Sequence, residues 1–396
     1  MTDEAKTADA SLKAVLHFIF FLSGIATVLI GQLLPILARK FSLNDLQLGY
    51  FFPVQLAGSL TGTLMTNWFG QKGRLVTASL IGCVLMGIGI LLMTVDVLGI
   101  CLAGFFINGL GVGLTLPAIN LVILELNPLR SPAALSVLNF CWGLGAIISK
   151  PFVDLTARGT SIVITCLLIA VPMLLSAAAL FAVSPKNEPD SAAESDETPA
   201  GSKTAIWTTP TAWAIAGFNF IHVGFESGMG GWITTYAERV ENASVVHLLS
   251  PTFLFFLFFV VGRGVAPVFF RFLDENRMLL LSLLVILAGM IVTVYAPNLL
   301  ILSIGASIAG FGTSSVFPTN VSRFSATFGK AALKRATPLF FLGTSGAAVI
   351  TWLIGFLSNQ TGSLRAGMAV LMVCIILLIV LQAVLMFNTR ISRESV

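Results

Sequence analysis

Twelve times along the chain an apolar run of helix-spanning length is followed by a polar break. The runs fall roughly at 14–38, 46–69, 75–95, 98–124, 133–156, 161–183, 212–236, 248–271, 277–296, 299–322, 336–358 and 364–388. As helices rising about 1.5 Å per residue, each reaches the ~20 residues needed to cross a bilayer. The pattern therefore predicts an all-α membrane protein of twelve transmembrane helices. Only one break is long. Ser184 to Thr209 reads SPKNEPDSAAESDETPAGSKTAIWTT, rich in Ser, Ala, Pro and acid, and falls between helices six and seven. It predicts a flexible cytoplasmic linker (184–209) between an N-terminal six-helix bundle (1–183) and a C-terminal one (210–396). The acidic run within it reads as solvated chain and not as a partner site.

The two halves repeat one another. Gly109, Gly111 and Pro117 recur as Gly310, Gly312 and Pro318, and Gly145-Ala146 as Gly346-Ala347, always at an offset of 201. Phe18, Phe20, Gly24 and Gly31 recur as Phe218, Phe220, Gly224 and Gly231 at an offset of 200. Two parallel pseudo-symmetric six-helix repeats, with substrate held between them at mid-membrane, is a transporter architecture.

Composition agrees and removes other classes. With 56% hydrophobic and 10% charged residues and a mean hydropathy of +0.95, the 396 residues carry too much apolar surface for a soluble domain. A net charge of +4, with cations scattered singly through short breaks, excludes a nucleic-acid partner. Cys83, Cys101, Cys141, Cys166 and Cys374 lie inside apolar runs without C-x-x-C spacing, so no metal site or disulfide framework is expected. The polar, mildly acidic start MTDEAKTADASLK has no signal-peptide pattern, so the first run is expected to stay. Fifteen Lys and Arg, including Lys72, Arg74, Lys186, Lys203, Arg271, Arg277 and Arg323, fall on the side of the termini, and five (Arg39, Lys40, Arg158, Arg239, Arg365) fall opposite. That bias places both termini in the cytoplasm of a multi-pass cell-membrane protein.

The chemistry concentrates in the seventh run. AWAIAGFNFIHVGFESGMGGWITTY, from Ala212, carries His222 and Glu226 near its middle, and Arg263 stands midway along the next run. Ionisable groups at that depth are costly and read by default as functional. His222 and Glu226 are four apart and share one helix face, with Asn219 a turn below. Desolvation disfavours the charged carboxylate and a nearby guanidinium favours it, so a carboxyl between the two can exchange a proton. Glu226, His222 and Arg263 are accordingly the candidate proton-coupling residues. The competing readings are a permanent Arg–Glu pair that locks helices seven and eight and a packing histidine. Lys150 is expected near the outer interface, where it can snorkel and pair with Asp154, or hold an anionic substrate.

Neutral polar residues suggest the substrate. Gln32, Gln55, Asn120, Asn139, Asn219 and Asn320, with Asn108, offer amide donors and acceptors, and Trp142 and Trp232 offer flat apolar faces. That combination suits a polyhydroxylated ring, whose hydroxyls need partners on leaving water and whose C–H face stacks on indole. The same residue types also join helices to one another in lipid, and each position is open to that reading. Trp207 and Trp213 read as interfacial anchors.

GTLMTNWFGQKGR, from Gly62 to Arg74, resembles the G-x-x-x-D-R-x-G-R-R signature of the major facilitator superfamily, with Asn67 where the acid is expected. LNFCWGLGA (Leu138 to Ala146), VGFESGMGGWITTY (Val223 to Tyr236) and Gly262-Arg263 are similar to segments of the fucose:proton symporter and sodium-dependent glucose transporter branch. In the fucose symporters an acid lies four residues before the Pro of helix one and another four before the Asn of helix four. Here Gly31 and Leu116 occupy those places, so that proton site is absent and coupling must sit elsewhere. The resemblance implies the major facilitator fold and alternating access. The expected function is secondary active transport of a monosaccharide or related polyol or sugar acid, coupled to protons or to sodium. The alternative is a multidrug or organic-ion exporter. No H-E-x-x-H, Ser/His/Asp trio or Gly-rich phosphate loop is present, so neither an enzyme nor a nucleotide-driven pump is expected. No cofactor is expected, and the protein is expected to act as a monomer in the bilayer.

Overall fold

The computed structural model describes residues 3–127, 131–184, 206–241, 250–328 and 336–394. Most of the linker expected at 184–209 lies outside the described residues. Apart from an isolated bridge between Arg158 and Ser161, regular structure among the described residues is helical. The helices are α1 (Asp3–Phe41), α2 (Asp45–Gly49), α3 (Phe51–Gln71), α4 (Leu75–Leu92), α5 (Leu98–Glu125), α6 (Ser131–Thr156) and α7 (Val163–Val183), then α8 (Pro210–Glu241), α9 (Pro251–Phe269), α10 (Glu275–Val294), α11 (Leu299–Thr313), α12 (Val316–Phe328), α13 (Thr337–Thr361) and α14 (Leu364–Glu394).

Every one of the twelve apolar runs is helical, and two are interrupted for legible reasons. The second run begins as the short α2, capped by Asn44, whose side chain accepts from the Gln47 N–H while the Gln47 side chain accepts from the Asn44 N–H. Pro53 has no N–H to offer the Gly49 carbonyl, so the ladder stops and α3 starts afresh. The tenth run breaks at Ser314 and Ser315, because Pro318 cannot donate to the Ser314 carbonyl. The Ser314 hydroxyl turns back on Phe311 O at 2.6 Å, and the Thr319 N–H closes on Ser315 O at 3.1 Å. In α5, Pro117 is tolerated without a break. The Gly113 carbonyl it leaves free accepts from the Thr66 hydroxyl of α3 at 3.1 Å.

Among the described residues ten helical segments are long and apolar enough to cross a membrane, the broken tenth run counting as one. The spans outside that set are α3 and α8, which are diluted by polar residues. The contacts divide the chain into two compact units: Met1–Ser42 with Val54–Ser202, and Leu43–Pro53 with Lys203–Val396. Residues 43–53 thus join two helices of the first unit while packing as part of the second.

In the first unit α1 packs on α6 and α7, and α4 packs on α5 and α7. In the second, α8 packs on α13, and α11 on α9 and α10. The repeat read from the glycines is also a repeat of packing. A methyl group at Gly111 would stand 2.6 Å from both Gly82 O and Met86 N, and one at Gly312 would stand 2.9 Å from Ser282 O and Ile286 N, the same partners 200 residues on. The polar contacts repeat in position but not in kind: Lys40 Nζ donates to Thr94 O at 3.0 Å, and Tyr236 OH donates to Val294 O at 3.0 Å. The glycines therefore close helix pairs inside each unit.

One sequence assignment is corrected. Arg323, counted among the loop cations, lies inside α12 and is buried, because both terminal nitrogens of its guanidinium find partners within the unit, while Nε is left without one. It donates to Gln382 Oε1 at 2.6 Å and to Asn320 Oδ1, and it lies over the Phe218 ring.

Gly312→Ala should destabilise the protein by about 1–3 kcal/mol, because the added carbon meets backbone that cannot turn aside. Gly217→Ala in α8, where nothing lies within 4 Å, should be neutral or stabilising. Thermal unfolding of the two variants in one detergent checks the contrast.

Candidate substrate and coupling site

The second unit holds the charged cluster. Along α8 the residues Ile215, Phe218, Asn219, His222, Phe225, Met229 and Trp232 recur at helical spacing and are buried, which fixes one face inward. His222 is fully buried, and its Nε2 lies 3.7 Å from Glu226 Oε2. Neither ring nitrogen has a hydrogen-bond partner among the described residues. The Glu226 side chain keeps 26% of its exposure, so it sits at the margin of the packed face. Arg263 of α9 rests on the Phe259 ring, its guanidinium carbon 4.1 Å from the centroid. No ion pair within 4.0 Å joins Arg263 to Glu226 among the described residues. A carboxyl, an imidazole and a guanidinium thus share one region without being locked together. Such a set can take up a proton, release it, or receive the polar groups of a solute.

The other α8 candidates sit differently. Asn219 is buried, its Nδ2 donating to Leu339 O at 2.9 Å, while its Oδ1 has no partner. Trp232 is fully buried and donates through Nε1 to Thr351 O at 3.0 Å. Asn320 donates to Ile215 O at 3.2 Å and accepts from Arg323. These three bonds tie α8 to α13 and α12.

The first unit holds the rest. Asn139 of α6 is exposed, with Nδ2 on Leu135 O at 2.8 Å and Oδ1 left available. Trp142, one turn on, is half-buried, and its Nε1 is sequestered without a partner. Asn120 is half-buried and bonded back to Leu116 O at 2.8 Å. Gln32 and Gln55 are buried. Asn108 is fully buried, with both ends of its amide unpartnered. Lys150 and Asp154 form a short ion pair with side-chain exposures of 5% and 13%. The pairing expected from their spacing is present, and Lys150 is packed inside the unit.

Sequence reasoning passed over Asp45, which the second unit surrounds with the Arg239 fork and the Ser358 hydroxyl. The capping box at Asn44 was the available signal, since it marks Asp45 as the first residue of a helix. Among the described residues no group of three or more His, Cys, Asp or Glu is placed to hold a metal ion.

The model of the family described as the Major Facilitator Superfamily matches residues 16–297. The chain belongs to the Major Facilitator Superfamily. Within the superfamily it is 24% identical over 356 residues to the glucose/mannose transporter GlcP of Bacillus subtilis, covering 86% of each chain. It is 28% identical over 227 residues to sodium-dependent glucose transporter 1 of Xenopus laevis, covering 54% of this chain and 44% of that one. The match thus spans less than half the length of the frog protein. In fold it is similar to the D-xylose-proton symporter, with a TM-score of 0.77 at 14% identity over 94% of this chain and 96% of that one. The Escherichia coli fucose:proton symporter FucP gives 0.59 at 18% identity over 94% and 97%. The protein is therefore a multi-pass membrane transporter of the Major Facilitator Superfamily, and it is not an enzyme.

In such a chain a buried charge stripped of its counter-charge is expensive. Asp154→Ala should cost about 3–5 kcal/mol by stranding Lys150, whereas Lys150→Met with Asp154→Leu should restore stability close to the parent. Thermal unfolding of the single and double variants separates the two.

Proposed function

We propose that this transporter moves a monosaccharide, or a related polyol or sugar acid, by alternating access, and that it couples the movement to a proton carried on Glu226. The observation that carries the coupling is the state of Glu226: part-exposed, 3.7 Å from His222 and free of a direct pair with Arg263. A carboxylate clamped by a guanidinium is a structural strut, whereas one held near a guanidinium without contact can change its protonation without stranding a partner. The positions where the fucose symporters carry their acids are Gly31 and Leu116, so no carboxyl at those places competes for the role.

The substrate class is supported by the glucose and glucose/mannose transporters to which the chain is similar, and by the amide and indole groups at Asn139 and Trp142. Asn139, Asn120, Trp142, Gln55 and Gln32 are proposed for the first unit's share of recognition, and Asn219 with the unpartnered Oδ1 for the second unit's. Trp232 and Asn320 are proposed as the frame behind it, since their polar atoms are committed to neighbouring helices. The excess of loop Lys and Arg on the side of the termini supports cytoplasmic termini, and it survives the removal of Arg323 from the loop set.

A sodium ion in place of the proton is the second reading, favoured by the name of the frog relative. Glu226→Gln separates the two. The amide has the size and hydrogen bonding of the protonated carboxyl, so the variant should keep D-glucose exchange and lose accumulation driven by a pH gradient in liposomes. Continued pH-driven accumulation by a stable variant removes Glu226 from the coupling step. Accumulation by the parent under a sodium gradient alone assigns the ion to sodium.

The substrate class is checked by thermal shift. A ligand at a hundred times its dissociation constant stabilises the folded state by about 2.7 kcal/mol, so D-glucose, D-xylose and gluconate should raise the melting temperature. A rise with lipophilic cations alone points to the exporter reading.

A further inference from the structure

Among the described residues, Lys40, Lys150, Arg239 and Arg323 each carry charge into the helices, and each has an acceptor. Lys150 has Asp154, and Arg239 has Asp45. Lys40 has Asp96 and the Thr94 carbonyl, and Arg323 has the amide oxygens of Gln382 and Asn320. Arg263 has only a ring. Its guanidinium carbon lies 4.1 Å from the Phe259 centroid, and it makes neither an ion pair nor a hydrogen bond with another described residue. A ring face attracts the cation but accepts none of its N–H groups as a carboxylate would.

The placement of Arg263 removes the simplest explanation. It stands 12 residues after Pro251, about 18 Å along α9, and six before Phe269, about 9 Å from that end. A cation that had only to reach lipid headgroups would stretch towards the nearer end. Arg263 instead folds back over Phe259, one turn deeper in the span. Its Nε is buried without a partner, so the donors left for another molecule are the terminal nitrogens. Glu226 shares the region yet makes no pair within 4.0 Å with the guanidinium.

Charge arithmetic then points to the missing partner. When Glu226 carries a proton and the imidazole is neutral, the cluster of His222, Glu226 and Arg263 is left with the single positive charge of Arg263. A neutral hexose offers that cation only hydroxyls, and leaves it uncompensated where water is scarce. A carboxylate offers two oxygens in the geometry of the guanidinium fork and cancels the charge.

We propose that the solute carries a carboxylate which Arg263 receives, so that within the sugar class the transporter prefers a sugar acid to the neutral sugar. The proposal rests on the sugar reading given above and narrows it to the anionic members of that class. Arg263 is then the residue that selects for charge, while the ring is left to the amides and the indole already proposed.

D-glucose and D-glucuronate share a ring and differ at C6, where the second bears a carboxylate, so their affinities isolate the charge. Isothermal titration of the purified full-length protein, with sodium chloride in the glucose arm to match the uronate's sodium, should give D-glucuronate a Kd tighter by about tenfold or more. Arg263→Gln should bring the ratio to about one and leave D-glucose binding within a factor of about two, while Arg263→Lys should keep part of the preference. Should Arg263→Gln fail to fold, the parent decides: D-glucuronate and not D-glucose should slow phenylglyoxal modification of Arg263, read by mass spectrometry. A D-glucuronate affinity no greater than that of D-glucose, an unchanged ratio in folded Arg263→Gln, or equal protection by the two overturns the proposal. If neither compound binds, the sugar reading falls, and lactate, a carboxylate without the ring, decides the remainder. Lactate binding that depends on Arg263 upholds the carboxylate site, and its absence overturns that as well.

Discussion

Lipid offers no hydrogen bonds, and most of this structure follows from that constraint. Each polar group carried into the helices has to find its partner inside the protein, and an unpaired buried charge costs several kcal/mol where a neutral hydrogen bond returns about one. The Gly113 carbonyl released by Pro117 takes the Thr66 hydroxyl, and Lys150 takes Asp154. Arg323 takes two amide oxygens and an aromatic face, and Gln382, which supplies one of them, is itself anchored on Asn276. Among the ionisable groups described, His222, Glu226 and Arg263 stand apart. They are three ionisable groups in adjacent helices with neither a tight pair nor, for the histidine, a hydrogen bond. An arrangement that costs stability and is not relieved by packing is the expected form of a site that must change its charge during work.

The internal repeat sharpens the point. The two units share helix pairing and glycine contacts at offsets of 200 or 201, yet Leu22, Ala26 and Thr63 stand in the first unit where His222, Glu226 and Arg263 stand in the second. The scaffold is common to both, and the ionisable cluster belongs to one. Conversely, Asn108 has Ala309 as its counterpart, so the first unit carries a buried amide that the second lacks. Duplicated architecture with unequal chemistry is what a carrier needs if one half is to bind an ion and the other to read the solute.

The twelve helices were legible because hydrophobic run length is a property of the chain alone, and most ends fall within a few residues of the runs. The breaks after Gly49 and at Ser314 follow from Pro53 and Pro318, but only once the helices are known to run to those points. Partners beyond the i, i+4 spacing of Lys150 and Asp154 were not legible. Nothing in residue type separates Asn139, which keeps an exposed face, from Asn320, which joins α12 to α8, because the difference lies in whether a neighbour's carbonyl is within reach. Arg323 read as a loop cation because it ends an apolar run near other cations. Asp45 was missed because its partners, Arg239 and Ser358, are 194 and 313 residues away.

The helix that carries the cluster also carries the seat of the segment 43–53. Glu226 and Arg239 are 13 residues apart on α8, about 20 Å along its axis, and no proline lies between them. Between them come Gly228, Gly230 and Gly231, which admit Leu371, Phe256 and Phe52 close against the backbone. Tight contacts grip this stretch of α8 at its glycines. Packed interiors pass displacement on instead of absorbing it. Any displacement of α8 that accompanies a change at Glu226 is therefore delivered to Trp232, Phe52 and the Arg239–Asp45 pair. Couplings of 1–3 kcal/mol are typical between distant sites, and that is about what gaining or losing one charge-assisted hydrogen bond supplies. Placing both sites on one unbroken helix makes a coupling of that size attainable without any further device.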